Sequence, residues 1–340
     1  MSPPAIGEHS RVGPTKLLVV IVCYRSADLA IDCLRSIAPQ VGEVPDARVQ
    51  VCENGTGPES VTQLNHAIDE NGWGDWASVV AVSPNRGFAG GNNVILGPAM
   101  ASETPPEYLM LLNADTIVRP GALRALCSAL DARPDVGILG PRLEWPDGTP
   151  QTSAFLDFTP LHEFIHSAAT GPVSRCFRRG HGALPIADAP HDAEWISFAC
   201  ALIRCEVFQA CGLLDEGYYL YFDDADYCRL ARQAGWRVVH YPDARVVHLR
   251  GRSNPLKSLA AKRERRPRYW YLSRNRYYAK FYGRHRLWIA NALWHGGRTI
   301  SLARELVGNR PSSVCRAEWR DIWTNAWSPM KPHKPSDRQS

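Results

Sequence analysis

The sequence predicts an α/β protein in which a mainly parallel sheet is flanked by helices. Short apolar segments alternate with amphipathic segments over roughly the first 130 residues, and this alternation is typical of parallel sheets built from strand–helix–strand units. Several of the apolar segments run directly into polar or glycine-rich turns. Because the carboxyl ends of parallel strands meet at one edge of a sheet, one cleft can collect all of these turns.

The first half of the chain supplies most of the predicted sheet. Its apolar runs are typical of buried strands, and the predicted strands are Leu17–Cys23, Val49–Cys52, Ser78–Val82 and Tyr108–Leu112. The predicted helices between and after them are Ser26–Ile37, Val61–Asn71 and Pro120–Ala132. The last of these begins with proline, which is favoured in the first helical turn.

The second half is less regular. Residues 150–190 are rich in proline and glycine and are expected to form a mobile loop over the cleft. The order predicted after them is a strand-like segment Trp195–Leu202, helices Cys205–Cys211 and Asp223–Gly235, and short strands Val238–Tyr241 and Ala244–His248. Beyond Lys257 the chain is expected to be helical, basic and aromatic.

Charge is distributed unevenly along the chain. Residues 245–310 hold 17 Lys and Arg and two acids, whereas the remainder holds 22 basic and 32 acidic residues. A basic tail on an acidic body favours an anionic partner at that end, such as a lipid surface, a pyrophosphate-bearing acceptor or nucleic acid. Nucleic acid is disfavoured, because no recognised nucleic-acid module accompanies the tail.

The cysteines and the amino-terminal residues predict a cytosolic protein. The ten cysteines are irregularly spaced without a CxxC pair, so reduced buried thiols are favoured over structural zinc. Residues 1–15 lack the apolar core of a signal peptide and are expected to form a disordered leader. The apolar run that follows, Leu17–Cys23, is too short to span a bilayer.

Asp115 closes the apolar segment YLMLLNAD, residues 108–115. A carboxylate at the end of a buried strand lies where open α/β sheets bind ligands, and it is well placed to hold a divalent metal on a diphosphate. The alternative is a helix N-cap. His248 also ends an apolar strand; it is either a packed core residue or a second metal ligand.

A second acidic cluster, FDDAD at 222–226, follows the aromatic segment YYLYF, residues 218–222. Aromatic side chains that desolvate a carboxylate make it a stronger base. The alternative is a helix N-terminus stabilised by acids. The glycine-rich segment 85–93 lets backbone N–H groups approach a ligand closely, although a plain helix-capping loop explains it as well.

Taken in order, several segments resemble the family 2 inverting glycosyltransferases with the GT-A fold, and within them the rhamnosyltransferase-like branch. The resemblance covers about residues 16–285 and rests on VVIVCYRSADLAIDCLRSI, VQVCENGT, NRGFAGGNN, LLNADT and the block GLLDEGYYLYFDDADYCRLARQAGWRVVHYPDARVVHLRGRS. The glycine-rich segment and the last block are the most specific.

The resemblance implies a role for each matching position. It assigns Glu53 to the nucleotide base, and it places Asn85, Gly87, Asn92 and Asn113 along the nucleotide sugar. It makes Asp115 a ligand of Mg²⁺ or Mn²⁺ with His248 nearby, and Asp224 the general base with Asp223 beside it. Three positions depart from the family pattern: Glu53 and Asn113 each replace an aspartate, and Asp223 replaces a glutamate.

The implied activity is inverting transfer of a sugar from a nucleoside-diphosphate sugar to a hydroxyl of a glycan or lipid-linked acceptor, in cell-surface polysaccharide assembly. The branch points to dTDP-L-rhamnose as the donor. The predicted catalytic domain is 16–255, with a donor half at about 16–120 and an acceptor half at about 121–255, followed by a basic aromatic helical region at 256–340. The competing interpretation is a non-catalytic module that binds a nucleotide sugar or a membrane surface.

The basic tail carries two further predictions. Residues Lys257–Arg286 with their interleaved aromatics are expected to dock the enzyme on the inner face of the cell membrane. Alternatively, these aromatics simply pack the tail onto the catalytic domain. Within the tail, Arg274 and Asn275 are expected to hold a phosphate of the donor or of a lipid-pyrophosphate acceptor.

Overall fold

The computed structural model describes residues 15–176, 182–249, 259, 261–308, 312 and 314–331. The predicted leader therefore falls outside the described residues except for Thr15, and so does the predicted domain boundary at 255–256. No helix among the described residues is both long and apolar enough to cross a bilayer.

Strands occupy both halves of the described chain. In chain order they are β1 (Leu17–Cys23), β2 (Arg48–Asn54), β3 (Ala77–Val82), β4 (Tyr108–Asn113), β5 (Thr116–Val118), β6 (Val136–Glu144), β7 (Ala154–Phe155), β8 (His191–Asp192), β9 (Trp195–Ile196), β10 (Cys200–Arg204) and β11 (Arg237–His248). The large sheet has the order β3-β2-β1-β4-β10-β6-β11-β5, with β8 attached to β11, and β7 pairs with β9 in a separate ribbon.

The helices are α1 (Ala27–Ile37), α2 (Pro58–Glu70), α3 (Gly87–Met100), α4 (Ala122–Asp131), α5 (Pro160–Ala168), α6 (Gly171–Cys176), α7 (Cys205–Cys211), α8 (Asp223–Gln233), α9 (Arg268–Gly308) and α10 (Glu318–Asp321). The predicted α/β class is confirmed. Strands β3, β2, β1 and β4 are all parallel, whereas β10 runs antiparallel to β4 and β6, and β11 is again parallel to β6.

The core forms two layers because successive strand residues point to opposite faces of the sheet. In β1, Leu17, Val19 and Ile21 pack with α1 and α4 on one side. Leu18 and Val20 pack with α3, α7 and α8 on the other. Fully burying an aliphatic side chain contributes about 1.5–3 kcal/mol, so this alternation determines the register of the strand as well as its stability.

Two segments differ from the expected secondary structure. The glycine-rich segment is not a loop: α3 begins at Gly87, inside it. A Cβ on Gly91 would lie 2.8 Å from Val22 Cγ1 of β1, so glycine lets this helix approach the sheet closely. The proline- and glycine-rich stretch 150–190 contains α5 and α6 as well as β7, and the prediction also missed β6.

The basic tail forms the long helix α9, which is bent at Gly283, where φ is 81°. Proline and glycine are the usual causes of such a bend. Its first part packs against the rest of the fold: Tyr277 joins the same core as α8, and the Tyr278 hydroxyl donates to Glu163 of α5 at 2.8 Å. The first part of the basic tail is therefore packed into the fold.

Candidate active site

Asp115 and His248 lie side by side at the carboxyl ends of two strands. After β4 the chain turns, with the Thr116 hydroxyl donating to the Asn113 carbonyl at 2.7 Å, and enters β5. Strand β5 runs antiparallel to β11, with Thr116 opposite His248. This register brings His248 Nε2 to 3.5 Å from Asp115 Oδ1, and the Asp115 side chain is buried.

The donor atoms of this pair fit a divalent cation. Carboxylate oxygen and imidazole nitrogen both coordinate Mn²⁺, and carboxylate oxygen suits Mg²⁺. The second imidazole nitrogen, His248 Nδ1, is buried without a hydrogen-bond partner in the described residues. No group of three or more His, Cys, Asp or Glu side chains that could hold a metal occurs in that part of the chain. The remaining ligands would therefore be phosphate oxygens and water, as is usual for Mg²⁺.

Asp223 and Asp224 open helix α8, and the two residues before them have left-handed backbone angles, with φ of 68° at Tyr221 and 67° at Phe222. Such angles are uncommon for bulky residues and cost free energy, so the surrounding packing must hold them. Strain of this kind concentrates at functional sites.

Burial raises the pKa of both carboxyl groups. It raises the pKa of Asp224 to about 6, although the backbone N–H groups of Ala225 and Phe198 oppose the rise. It raises the pKa of Asp223 well above its usual value, and the neighbouring charge of Asp224 adds to the effect. The two carboxyl groups therefore titrate together, and ionisation of the first makes loss of the second proton less favourable. A carboxylate with a raised pKa is the better general base.

Tyr221 connects the two acidic clusters. Burial raises the pKa of its phenol, and the nearby charges of Asp223, Asp224 and Asp115 raise it further. Its ring stacks on Tyr269 of α9, with centroids 6.4 Å apart and planes 16° from parallel. The phenol consequently stays protonated, so its hydroxyl can donate a hydrogen bond as well as accept one. In the sequence, Tyr221 was one of several aromatics in a row, and nothing but its place before the acidic cluster singled it out.

The other acids of this region face cations from α9. Asp226 lies 2.8 Å from Lys280 Nζ and accepts a hydrogen bond from the Tyr218 hydroxyl. Asp215 pairs with Arg276 at 2.8 Å and with Lys280 at 3.2 Å. Burial alone would raise the pKa of Asp215, but Arg276 holds it below its usual value. These pairs attach α9 to the acidic motif, a role that sequence reasoning missed.

Asn54 organises the glycine-rich segment. Its amide donates to the Gly87 carbonyl at 2.9 Å and its oxygen accepts from Arg86 N at 2.9 Å. Gly87 has a φ of 75°, and a Cβ there would lie 2.3 Å from the Tyr219 carbonyl oxygen. Gly87 N in turn donates to Asn85 Oδ1 at 2.7 Å. Predicted site residues Asn85 and Gly87 thus hold the start of α3 against the segment before the acidic cluster.

The other three residues predicted to contact the nucleotide sugar or its base differ in how far their side chains are already hydrogen-bonded within the protein. Asn92 donates to the Phe88 carbonyl at 2.9 Å, and its buried Oδ1 has no hydrogen-bond partner in the described residues. The Glu53 carboxylate accepts from Thr56 N at 2.8 Å and Gly55 N at 3.3 Å, so it shapes its own turn. Asn113 is half-buried at the end of β4. The nucleotide roles of all three stay predictions.

The prediction that Arg274 contacts a phosphate is at odds with its position. The side chain is about 1% exposed and pairs with Glu163 at 3.0 Å. It also donates to the side-chain oxygens of Asn275 and Asn291 at 2.7 and 2.8 Å. A buried guanidinium whose donors face protein acceptors cannot reach a ligand without breaking this network. Asn275 likewise donates to backbone carbonyls, at Ile322 and Thr324.

The aromatics of the tail mostly pack inward. Tyr271, Tyr277 and Tyr278 are fully buried, and Tyr269 is nearly so. For these residues the packing alternative describes the structure, because a side chain in the core cannot insert into a lipid surface. The start of the segment, at Lys257, lies outside the described residues.

Comparison with known proteins identifies the family. The model for glycosyltransferase-like family 2 matches residues 14–271, about three quarters of the chain. A curated relative from Mycobacterium tuberculosis, N-acetylglucosaminyl-diphospho-decaprenol L-rhamnosyltransferase, is 28% identical over 163 residues, which are 46% of this chain and 52% of that protein. The chain thus spans about half the length of that relative.

Solved structures show the same fold. TarS of S. aureus, residues 1–349, superimposes with a TM-score of 0.52 at 15% identity, covering 93% of this chain and 80% of that chain. The mannosyltransferase PcManGT of Pyrobaculum calidifontis, solved with GDP-Man and Mn²⁺, gives a TM-score of 0.51 at 14% identity, covering 95% and 88%. The predicted GT-A fold is confirmed by these neighbours.

Proposed function

The chain belongs to the glycosyltransferase-like family 2, and on that premise we propose that it is an inverting, metal-dependent glycosyltransferase. It moves a sugar from a nucleoside-diphosphate sugar to a hydroxyl of a glycan or lipid-linked acceptor. The observation that carries the proposal is the pairing of two unlike acidic sites: Asp115 beside His248, and Asp224 beside a buried Asp223. Tyr221 lies within electrostatic reach of both.

The proposed donor is dTDP-L-rhamnose, and the proposed setting is cell-surface polysaccharide assembly. Support comes from the M. tuberculosis relative, which is named as a rhamnosyltransferase acting on a diphospho-decaprenol carrier. A lipid-linked acceptor places the proposed enzyme in the cytoplasm, at the inner face of the cell membrane.

The chemistry requires a base on one side of the sugar and charge neutralisation on the other. Asp224 accepts the proton of the acceptor hydroxyl. As this proton leaves, the hydroxyl oxygen bonds to the anomeric carbon, and the bond from that carbon to the diphosphate breaks. A single displacement inverts the anomeric centre. A divalent cation held by Asp115 and His248 would neutralise the charge that develops on the leaving diphosphate.

The neighbouring residues tune the base and position the reacting groups. The raised pKa of Asp223 favours a single proton retained on the Asp223–Asp224 pair, which spares the base a second full negative charge beside it. Helix α8 begins at these residues, and its positive N-terminal end favours the ionised form of Asp224. The buried oxygen of Asn92 is available to accept a hydrogen bond from the donor.

A ligand screen tests the proposal. Melting temperature is measured with nucleoside diphosphates and their sugars, with and without Mn²⁺, for the wild type, Asp115→Ala and the exposed-acid control Asp69→Ala. A ligand at 100 times its Kd stabilises by about 2.7 kcal/mol. We expect a thymidine-diphosphate ligand to stabilise the wild type and the control in a Mn²⁺-dependent manner, and Asp115→Ala far less.

Turnover and the anomeric configuration of the product complete the test. Inversion is read by NMR of the transferred sugar. Transfer that continues in excess EDTA would refute the metal requirement, and a retained configuration would refute the single displacement. Nucleotide-sugar binding without transfer to any acceptor would favour the non-catalytic binding module instead.

A further inference from the structure

The second part of α9 carries an uncharged apolar face toward solvent. This apolar stripe consists of residues that follow one another at intervals of four and three positions along the chain. All are half-exposed or exposed: Ile289, Leu293, Gly296, Ile300, Ala303 and Val307. Ile289 is 53% exposed and Val307 is 92% exposed. This spacing keeps the stripe on one side of a helix over 19 residues, about 27 Å.

A different side of the same helix packs on the protein. Leu287, Ala290, Trp294 and Ser301 are buried, and a Cβ on Gly297 would lie 2.3 Å from the Phe164 carbonyl of α5. A helix with one apolar side in the core normally presents polar residues on its outer side. Here both sides are apolar, so the outer side lacks a partner in the described structure.

Arginine and tryptophan border the start of the stripe. Arg284 lies over the ring of Trp288, with its guanidinium 5.3 Å from the ring centre. The ring centre of Trp327 lies 6.5 Å from that of Trp288, and Trp327 is 63% exposed. Aromatic rings with an apolar body and a polar edge, next to cations, are the composition that favours a membrane–water interface.

We propose that the apolar stripe of α9 is the surface by which this protein docks on an anionic lipid bilayer. The helix would lie in the plane of the interface, as amphipathic helices do when an apolar face is bordered by basic residues. The proposal assigns docking to a surface different from the inward-facing aromatics of 269–282. The docking surface is argued independently of the proposed function. Only the reason for docking, which is to hold the cleft near a lipid-linked acceptor, rests on that function.

Charge favours lipid over a second copy of the chain. Between 284 and 308 the helix has Arg284, Arg286, Arg298 and Arg304 but one acid, Glu305. That acid is already paired with Arg298 at 2.6 Å, and Arg304 donates to the Ala169 carbonyl, which leaves Arg284 and Arg286 exposed at the start of the stripe. Two copies of this face would bring these exposed arginines together without free acids to match them, whereas anionic headgroups complement them. Glycine and alanine at two stripe positions also weaken a helix–helix seam in water.

Segments of this chain outside the described residues are poor candidates to cover the stripe. Residues 332–340 and 250–258 are almost entirely polar or charged, and residues 309–311 are Asn, Arg and Pro. Residues 1–14 scatter four apolar side chains among Pro, Gly, Ser and charged residues, and residues 177–181 have one apolar side chain among Arg, Gly and His. Covering six apolar positions over about 27 Å requires a comparably apolar partner. An anionic bilayer supplies both the apolar surface and the negative charge.

Flotation with lipid vesicles tests the proposal. The full chain is mixed at low salt with vesicles of neutral phosphatidylcholine, or of phosphatidylcholine with about one third phosphatidylglycerol. The double variant Ile300→Glu with Val307→Glu is compared with Ile186→Glu, which changes an isoleucine elsewhere whose 55% exposure lies between those of Ile300 and Val307. We expect wild type and Ile186→Glu to bind the anionic vesicles, and the double variant to bind roughly tenfold or more weakly.

Two measurements separate the possible outcomes. Light scattering in solution reports the oligomeric state, and nucleotide-dependent stabilisation reports an intact cleft. A wild type that does not bind anionic vesicles, or a double variant that binds them equally, overturns the proposal. A dimer that the double variant abolishes assigns the stripe to a second copy instead. Vesicle binding without nucleotide binding would refute the proposed function while leaving the docking surface in place.

Discussion

Five buried or half-buried acids that contact α9 or open α8 fall into two groups. Glu163, Asp215 and Asp226 each face a cation supplied by α9, namely Arg274, Arg276 or Lys280. Asp223 and Asp224 open α8 beside them, yet no Lys or Arg among the described residues lies within ion-pair distance of either. A buried charge without a partner is costly, so its retention points to function, whereas a paired charge is explained by assembly of the fold.

The largest expected effect is a loss of turnover, and it tests the two acids that lack a cation, Asp223 and Asp224. Asp224→Asn keeps the size of the side chain but removes the base, so turnover should fall roughly 10²–10⁴-fold while donor affinity stays near that of the wild type. Steady-state kinetics and a nucleotide titration measure both. Since ionised Asp224 is the active form and its pKa is raised to about 6, wild-type kcat/KM should rise with pH through that region. Turnover within a few-fold of wild type would remove Asp224 from the role.

The next effect tests the paired group. Arg274→Met leaves the buried Glu163 without its cation and should lower the free energy of unfolding by about 3–5 kcal/mol. Urea denaturation followed by tryptophan fluorescence measures this loss. The matched control is Arg284→Met on the same helix, whose side chain is exposed, and it should change stability by less than about 0.5 kcal/mol. A stable Arg274→Met protein with impaired substrate affinity would restore the phosphate role.

Tyr221→Phe tests whether the phenol near the two acids that lack a cation contributes to turnover. It removes a hydroxyl that lies within electrostatic range of both Asp115 and Asp224, and a hydrogen bond to a charged group contributes about 1.5–3 kcal/mol. We expect kcat/KM to fall at least tenfold without loss of stability. Tyr219→Phe is the control, because its ring also packs on Tyr269. Equal kinetics for wild type and Tyr221→Phe would leave the phenol a packing group.

The smallest effect is a gain in stability. The pKa of Asp223 is higher in the folded state than in the unfolded state, so its contribution is complete below the unfolded pKa of about 4 and is lost as pH rises through the folded pKa. Asn does not titrate. Asp223→Asn should therefore raise Tm by roughly 1–3 °C at pH 8 and leave it nearly unchanged at pH 4. A destabilised variant at pH 8 would mean that the ionised form is stabilised after all.

The strand pattern and the motif positions are properties of the sequence alone. The run Leu17–Cys23 is reproduced residue for residue as β1, and Tyr108–Leu112 is β4 less its last residue. A continuous apolar run between turn residues determines such fully buried strands locally. The position of Asp115 after a buried strand and of Asp224 at a helix start also followed from neighbouring residues.

Tertiary structure alone decided which partner each charged and aromatic side chain received. Arg274 lies 111 residues from Glu163 along the chain, and Asp226 lies 54 from Lys280. Sequence periodicity reports only neighbours within a few turns, so a basic, aromatic tail looked like one exposed surface. Packing of α9 on α5 and α8 turned its first part inward and left an apolar stripe outside on its second part. Such a division depends on contacts between distant segments, which no local pattern encodes.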